Sequence, residues 1–116
     1  MEIRVLKDKN EIYLIELHGS LDLYSSDWLK KLIMRLIEQK IECFILDLKD
    51  INNINSAGVG ALVNISSTIK KLNLVLAISN VRGLVKKAMN VTKLSGLLPI
   101  TSNLKEAVEN IRSEIR

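Results

Sequence analysis

The stretch NNINSAGVGAL, residues 52–62, decides the fold because it joins two segments of different periodicity. The segment before it, residues 43–48, is almost continuously apolar and is typical of a buried strand. The segment after it repeats apolar residues at helical spacing as far as Leu72. Asn and Ser side chains accept hydrogen bonds from the free N–H groups of a first helical turn. The stretch therefore predicts a strand and then a helix from about Ser56, with Asn55 or Ser56 as its N-cap.

Residues with almost no side chain open this helix: Ala57, Gly58, Gly60 and Ala61. Glycine inside a helix costs about 1 kcal/mol relative to alanine, so two glycines in one turn need a reason. The reason that we infer is close approach, either to the sheet beneath the helix or to a partner above it.

The strands follow from the remaining apolar patterns. Continuous apolar runs separated by helical patterns are typical of central parallel strands that are covered on both faces. Residues 43–48 and 74–78 are such runs. Near the N-terminus, residues 2–6 and 12–17 are joined by a turn at residues 8–11. This pair predicts an antiparallel hairpin at one edge of the sheet.

Amphipathic patterns predict the other helices. After a loop at residues 19–23, Ser25 or Ser26 is expected to cap a helix with one apolar face, formed by Trp28, Leu29, Leu32, Ile33, Leu36 and Ile37. A shorter helix is expected to begin between Asn80 and Gly83 and to carry Leu84, Val85, Ala88 and Met89.

The C-terminal part of the chain predicts one more strand and one more helix. Residues 98–100 are typical of a short strand, and Pro99 implies an edge or a strand start. Asn103 with Glu106 three residues later is close to a capping box. The helix after it has an apolar face formed by Leu104, Ala107, Val108, Ile111 and Ile115. We therefore expect one α/β domain over residues 1–116, with a mixed, mostly parallel sheet and about four helices.

Composition excludes several classes of protein. The 116 residues are 47% hydrophobic and 26% charged, which is typical of one globular domain. No apolar run approaches the roughly 18 residues of a membrane span, and the N-terminus has no signal-peptide pattern. The single cysteine fits a reducing compartment, so a cytoplasmic location is expected. The net charge of +4 is modest and lacks interleaved aromatic residues, so direct nucleic-acid binding is not expected.

The residue inventory argues against an enzyme, a cofactor or a metal. No phosphate-binding GxxxxGK[ST] motif is present, and the one histidine, His18, cannot form a multi-histidine site. Cys43 is expected to be an inert core thiol. Asp47 is expected either to pair with Lys49 or to accept hydrogen bonds near a loop. Six basic residues are expected to form a solvated face or, in a minority interpretation, a docking patch for an acidic partner: Lys70, Lys71, Arg82, Lys86, Lys87 and Lys93.

Two motifs give the chain a family resemblance. Residues 55–62, NSAGVGAL, resemble the Asp-Ser-Ser/Thr/Ala-Gly-Leu-Gly-x-Leu motif of the bacterial anti-sigma factor antagonists, which are stand-alone STAS domains. Residues 19–22, GSLD, with the serines at 25 and 26, resemble the Gly-x-Leu/Ile-Asp turn of the same family. The resemblance covers essentially the whole chain and implies the STAS fold. Asn55 departs from it, since the family usually has Asp at that position.

The resemblance implies a partner switch. In such a switch the unmodified protein binds an anti-sigma factor that is also a Ser/Thr kinase, and a sigma factor is released. The kinase then phosphorylates the motif serine, here Ser56, and a phosphatase resets the protein. Without the resemblance, Ser56 would be interpreted as a helix cap, and Asp22 as the cap of the helix that follows it. The partner-binding residues implied are Asp22, Asn55, Ser56, Ala57, Gly58 and Gly60. A large side chain at either glycine is expected to abolish binding and to leave the fold unchanged.

Two alternatives stay open. The chain could be a scaffold or adaptor in a larger signalling assembly, or the STAS subunit of a membrane transporter, and weak self-association is compatible with each.

The neutral Asn55 removes the negative charge that the family's Asp places beside the acceptor. Phosphorylation is then expected to be slower, to need a kinase with another charge preference, or to be absent.

Overall fold

The computed structural model describes residues 1–8 and 11–114. Within these residues the chain forms four strands and four α-helices, and a short 3₁₀ turn, Ser95–Leu97, precedes the last helix. The elements are β1 Glu2–Lys7, β2 Ile12–Leu21, α1 Leu23–Glu38, β3 Cys43–Ile54, α2 Ser56–Lys71, β4 Val75–Ser79, α3 Gly83–Val91 and α4 Leu104–Glu114. The predicted α/β class and the four helices are confirmed. Two residues of the predicted turn, Lys9 and Asn10, lie outside the described residues.

The sheet has the order β1-β2-β3-β4. β1 and β2 pair antiparallel, whereas β2, β3 and β4 are parallel to one another. The predicted hairpin at a sheet edge and the mixed, mostly parallel sheet are therefore confirmed. Parallel strands need crossover connections, and α1 and α2 provide them.

The central strand β3 is buried on both faces, as its continuous apolar pattern predicts. Side chains along a strand alternate between the two faces. Phe44, Leu46 and Leu48 belong to the large core cluster, which includes side chains of α1 and α2. Cys43 and Ile45 point to a smaller cluster, which α4 covers with Ala107 and Ile111.

Several predicted strand boundaries are wrong. β2 continues to Leu21, through register shifts around Gly19, where a loop was predicted. β3 continues to Ile54, so Asp47 lies inside the strand and not at its end. The predicted fifth strand at residues 98–100 is reduced to one bridge between Ile100 and Ile78.

Helix α1 begins earlier than a Ser25 or Ser26 cap predicts, and five of the six residues of its predicted apolar face pack on the core, with Trp28 as the exception. Its N-cap is Asp22, and neither Ser25 nor Ser26 has that role. The buried positions are Ser26, Leu29, Ile33 and Leu36. This phase places Trp28 outside the core with 69% of its surface exposed, so its predicted burial is wrong. The small Ser26 occupies an inward position that a pattern of large apolar residues does not reveal.

The last two helices agree with the sequence patterns in most positions. α3 buries Val85 and Met89, but Leu84 is 77% exposed and does not belong to its buried face. At α4 the Asn103 side chain accepts from the Glu106 N–H at 2.9 Å, as the predicted capping pattern requires. Ile115, predicted for the apolar face of this helix, lies outside the described residues.

Candidate partner-binding site

The two family-like motifs meet at one edge of the sheet. β2 and β3 are parallel, and their last residues, Leu21 and Ile54, are register partners. Each strand passes directly into a helix, α1 or α2. The Asn55 N–H donates to the Leu21 carbonyl at 3.4 Å, which joins the two junctions. The structure therefore brings Asp22 and Asn55, the caps of the two helices, to neighbouring positions.

Asp22 holds the start of α1 through a reciprocal set of hydrogen bonds. Its Oδ1 accepts from the N–H groups of Tyr24 and Ser25, both at 3.0 Å. Ser25 in turn accepts the Asp22 N–H at its Oγ, at 2.9 Å. The Ser25 hydroxyl donates to the Ser20 carbonyl at 2.7 Å, which ties the helix to the end of β2. These contacts satisfy N–H groups that a first helical turn otherwise leaves without partners.

The same contacts keep Asp22 ionised. The hydrogen bond from the Ser25 N–H lowers the pKa of Asp22 below its ordinary value, and desolvation opposes that change only in part. A hydrogen bond to the charged form of a carboxyl group favours that form. The edge that contains Ser56 therefore has a negative charge at neutral pH, supplied by Asp22 from the neighbouring helix.

Asn55 caps α2, and Ser56 is left with a free hydroxyl. The Asn55 Oδ1 accepts from the Gly58 N–H at 3.0 Å, and Asn55 itself has extended backbone angles. Of the two predicted caps, Asn55 is the one observed. Ser56 is the first residue of the helix and is exposed, and its hydroxyl makes no hydrogen bond to any residue in the described ranges.

The two glycines of α2 differ in their surroundings. A Cβ on Gly58 would overlap the Leu21 carbonyl oxygen, and it would lie 2.9 Å from the Leu21 carbonyl carbon. A Cβ on Gly60 would meet nothing within 4 Å. The predicted close approach to the sheet is therefore confirmed for Gly58 and is absent for Gly60. The expectation that a large side chain at Gly58 leaves the fold unchanged is wrong, because the end of β2 occupies that space.

The other candidate residues lie away from this edge or serve the fold. Asp47 is buried and accepts from the Lys49 N–H at 2.9 Å and from Asn80 Nδ2 at 2.8 Å. It is thus an acceptor, as one of the two expectations stated, although it lies within β3. Cys43 is buried as expected, and burial raises the pKa of its thiol. His18 is exposed in β2. The six basic residues are all exposed, as expected for a solvated face.

The sequence patterns missed an aromatic surface beside the site. Tyr24 and Trp28 are one helical turn apart on α1 and are 82% and 69% exposed. With Asp22, Ser25, Ser20 and Met1 they line a shallow cavity of about 390 Å³. The spacing of Asp22 and Ser25, three residues apart, is the signal that gives the correct start of α1.

A family model matches most of the chain, and the matched range contains the strands and helices described above. The model of the STAS domain matches residues 4–107, from β1 to the first half of α4. The chain belongs to the STAS domain family. Both motifs of the candidate site lie inside the matched range.

Individual STAS proteins resemble the chain over nearly all of its length. The anti-sigma-B factor antagonist of Bacillus subtilis (strain 168) is 25% identical over 109 residues, which are 94% of this chain and 98% of the relative. A candidate anti-sigma factor antagonist from Thermotoga maritima has a TM-score of 0.83 at 20% identity, covering 95% of this chain and 94% of that one. The Bacillus cell fate determinant SpoIIAA in its phosphorylated form has a TM-score of 0.69 at 18% identity, covering 96% and 100%.

The described residues contain no group of three or more His, Cys, Asp and Glu side chains arranged to hold a metal ion. Within residues 1–8 and 11–114, no helix combines the length and apolar character that crossing a membrane requires.

Proposed function

We propose that this STAS protein is an anti-sigma factor antagonist whose binding to an anti-sigma Ser/Thr kinase is switched by phosphorylation of Ser56. The observation that carries the proposal is the free, exposed Ser56 hydroxyl at the first position of α2. The relative in Bacillus subtilis is an anti-sigma-B factor antagonist, and SpoIIAA has a phosphorylated form. The same site can therefore bind a partner in one state and reject it in the other.

The surroundings of Ser56 favour a flat docking surface. Ala57 is exposed and has only a methyl group, and the space above Gly60 is open. A partner can approach the backbone of α2 closely at these positions. The proposed surface consists of Asp22, Asn55, Ser56, Ala57 and Gly60, with Gly58 as a structural support beneath it.

Phosphorylation of Ser56 changes this surface and leaves the fold in place. A phosphate group adds about −1.5 to −2 charges at pH 7. The N-terminus of a helix favours negative charge, so the domain tolerates the group. Across the interface, a bulky dianion replaces a small hydroxyl, and it stands beside the Asp22 carboxylate. The partner therefore loses contact through steric and electrostatic mismatch.

Asn55 tunes the proposed switch. Its amide caps α2 as an aspartate would, but it adds no charge beside the acceptor hydroxyl. An Asp in its place would add negative charge near the Mg–ATP of the kinase. We infer that the kinase for this protein tolerates a neutral neighbour, and that Asn55→Asp raises the rate of phosphoryl transfer.

The test compares binding of the modified and unmodified protein to the anti-sigma kinase of the same organism. Phospho-Ser56 or Ser56→Asp is expected to weaken binding at least tenfold, equivalent to about 1.4 kcal/mol, in calorimetric titrations. Ser56→Ala keeps binding and loses the mass gain on incubation with ATP. Because Asn55 is the cap, Ser56→Ala changes the thermal melting temperature little.

Ser67→Asp is the matched control. Ser67 is exposed on the same helix, about 16 Å along its axis from Ser56, and has the same hydroxyl. This variant is expected to bind as the unmodified protein does. If phospho-Ser56 binds the kinase as tightly as the unmodified protein, the switch is refuted and an adaptor in a larger assembly takes its place. Co-purification with a permease would support the transporter alternative.

A further inference from the structure

The strand β1 forms one edge of the sheet. It is the first strand in the order β1-β2-β3-β4, so among the described residues only β2 pairs with it. Five of its six residues are exposed. Alternate backbone N–H and C=O groups of an edge strand point away from the sheet and can pair with another strand. β1 contains no proline and no register shift that would prevent such pairing.

An apolar groove runs beside this edge. Ile3 and Val5 lie on the same face of β1, since they are two residues apart. With Trp28 and Leu32 of α1 they form the floor of a groove of about 450 Å³. We call it the β1–α1 groove. No residue of the proposed switch surface lines the groove, although Trp28 also borders the cavity beside Asp22.

The charge of the groove is positive. Lys31 and Arg35 complete its lining, and both are exposed. Lys31 forms an ion pair with Asp27 at 2.9 Å, whereas Arg35 has no ion pair with any residue in the part of the chain described. An unpaired cation beside an apolar floor favours a ligand that combines apolar and acidic side chains.

A second copy of this chain fits the groove poorly. Its own edge strand would be the incoming strand, and on the face of Ile3 and Val5 that strand carries the cation Lys7 and no anion. Lys7 would approach Lys31 and Arg35 with the same sign of charge. Like charges across an interface oppose association, so the electrostatics favour a different protein as the occupant.

We propose that the β1–α1 groove binds an extended, acidic segment of another protein, which adds to the sheet as a strand beside β1. Backbone hydrogen bonds to β1 hold the segment. Alternate side chains enter the groove against Val5 and Trp28, because neighbouring side chains of a strand point to opposite faces. An acidic side chain of the segment pairs with Arg35.

Defined peptides test this proposal. The probes are terminally blocked octapeptides that alternate threonine with valine, with aspartate replacing each valine in turn. A matched set has lysine in place of the aspartate, and a third has proline at two central threonines. Trp28 is the only tryptophan of the chain and lines the groove, so its fluorescence reports binding. At least one aspartate peptide is expected to bind at least tenfold more tightly than its lysine counterpart and to shift the NMR signals of β1 amides.

Variants separate the groove from the rest of α1. Arg35→Glu is expected to reverse the preference between aspartate and lysine peptides, and Val5→Lys to weaken binding of every peptide at least tenfold. Met34→Ala and Lys105→Glu are the controls. Met34 is an exposed apolar residue of α1 outside the groove, and Lys105 lies on α4, which packs against the opposite edge strand β4. Neither control should change binding.

Four results would overturn the proposal. The first is that no peptide binds at millimolar concentration, and the second is equal binding of the aspartate and lysine sets. The third is undiminished binding of the proline peptides, because proline lacks the N–H that a strand pair needs. The fourth is a dimer in sedimentation experiments whose β1 amides are protected from exchange, which would assign the groove to a second copy.

Discussion

At the scale of single residues, Gly58 and Gly60 have opposite relations to the fold. Gly58 lies against the carbonyl group of Leu21, so the absence of a side chain lets α2 approach the end of β2. Gly60 faces open space, and nothing in the described structure requires glycine there. Glycine inside a helix is less stable than alanine by about 0.5–1 kcal/mol. The fold therefore needs one of the two glycines, and the other weakens it.

Alanine at each position should have effects of opposite sign. Gly58→Ala is expected to lower the free energy of unfolding by about 1–3 kcal/mol, because the new methyl group overlaps backbone that cannot easily move. Gly60→Ala is expected to raise it by about 0.5–1 kcal/mol through helix propensity. Urea titrations followed by far-UV circular dichroism measure both values. Equal effects in the two variants would contradict the geometry described for Gly58.

At the scale of elements, the helix starts show what the sequence can and cannot reveal. Asn55 and Asn103 cap α2 and α4: Asn55 is one of the two caps that the sequence predicts, and Asn103 is the cap that its spacing from Glu106 predicts. At the start of α1 the sequence offers three capping residues, Asp22, Ser25 and Ser26, and the structure selects Asp22 over the two serines. The three-residue spacing of Asp22 and Ser25 favours Asp22. The continuation of β2 to Leu21 through register shifts is what no local pattern encodes.

The aromatic surface was missed for a related reason. The buried face of α1 is formed by Ser26, Leu29, Ile33 and Leu36, and Trp28 lies outside it. A serine on that face is invisible to a pattern of large apolar residues. The sequence shows that Trp28 is apolar. Whether its side chain faces the core or the solvent depends on how α1 packs on the sheet.

The Asp22 cap predicts a pH dependence for α1. The folded-state pKa of Asp22 is lowered, so its carboxylate stabilises the domain above the unfolded-state pKa of about 3.9. That contribution is lost as the pH falls through the folded-state pKa. Asn also caps helices, so Asp22→Asn removes the charge and keeps the capping oxygen. We expect the variant to be less stable than the wild type at pH 7, and the difference to shrink as the pH falls below about 4.

Urea unfolding at a series of pH values measures this difference. Asp27→Asn is the control, because Asp27 is on the same helix and caps no N–H group, and its ion pair with Lys31 is solvent-exposed and therefore contributes little to stability. A difference for Asp22→Asn that stays constant between pH 7 and the acid range would show that the charge of Asp22 does not stabilise α1.

At the scale of the whole molecule, the sheet separates two unequal cores. The larger cluster includes side chains of α1, α2 and α3, and the smaller one joins β2, β3 and β4 to α4. Both clusters use β3, since Ile45 and Leu46 point to opposite faces of the same strand. Loss of either core should therefore destabilise the strand that supports the other.

Ile111→Ala tests whether the smaller core belongs to the same cooperative unit. Ile111 is 1% exposed, and truncation of a buried isoleucine costs about 2–5 kcal/mol. We expect a single unfolding transition at lower urea, with the amides of β3 losing protection from hydrogen exchange together with those of α4. Arg112→Ala, one residue along on the exposed side, is the control. Separate transitions for α4 and β3 would show that α4 is an independent unit.

The buried Cys43 has a practical consequence for kinetics. It is the only thiol of the chain, it begins the central strand, and its pKa is raised by burial, so the folded domain offers little reactive thiolate. A thiol reagent can modify it only when β3 becomes accessible. At high reagent concentration the labelling rate equals the opening rate, and at low concentration it reports the population of the open form. The rate at which Cys43 is labelled therefore measures how often the central strand β3 becomes exposed, and no substitution is needed for the measurement.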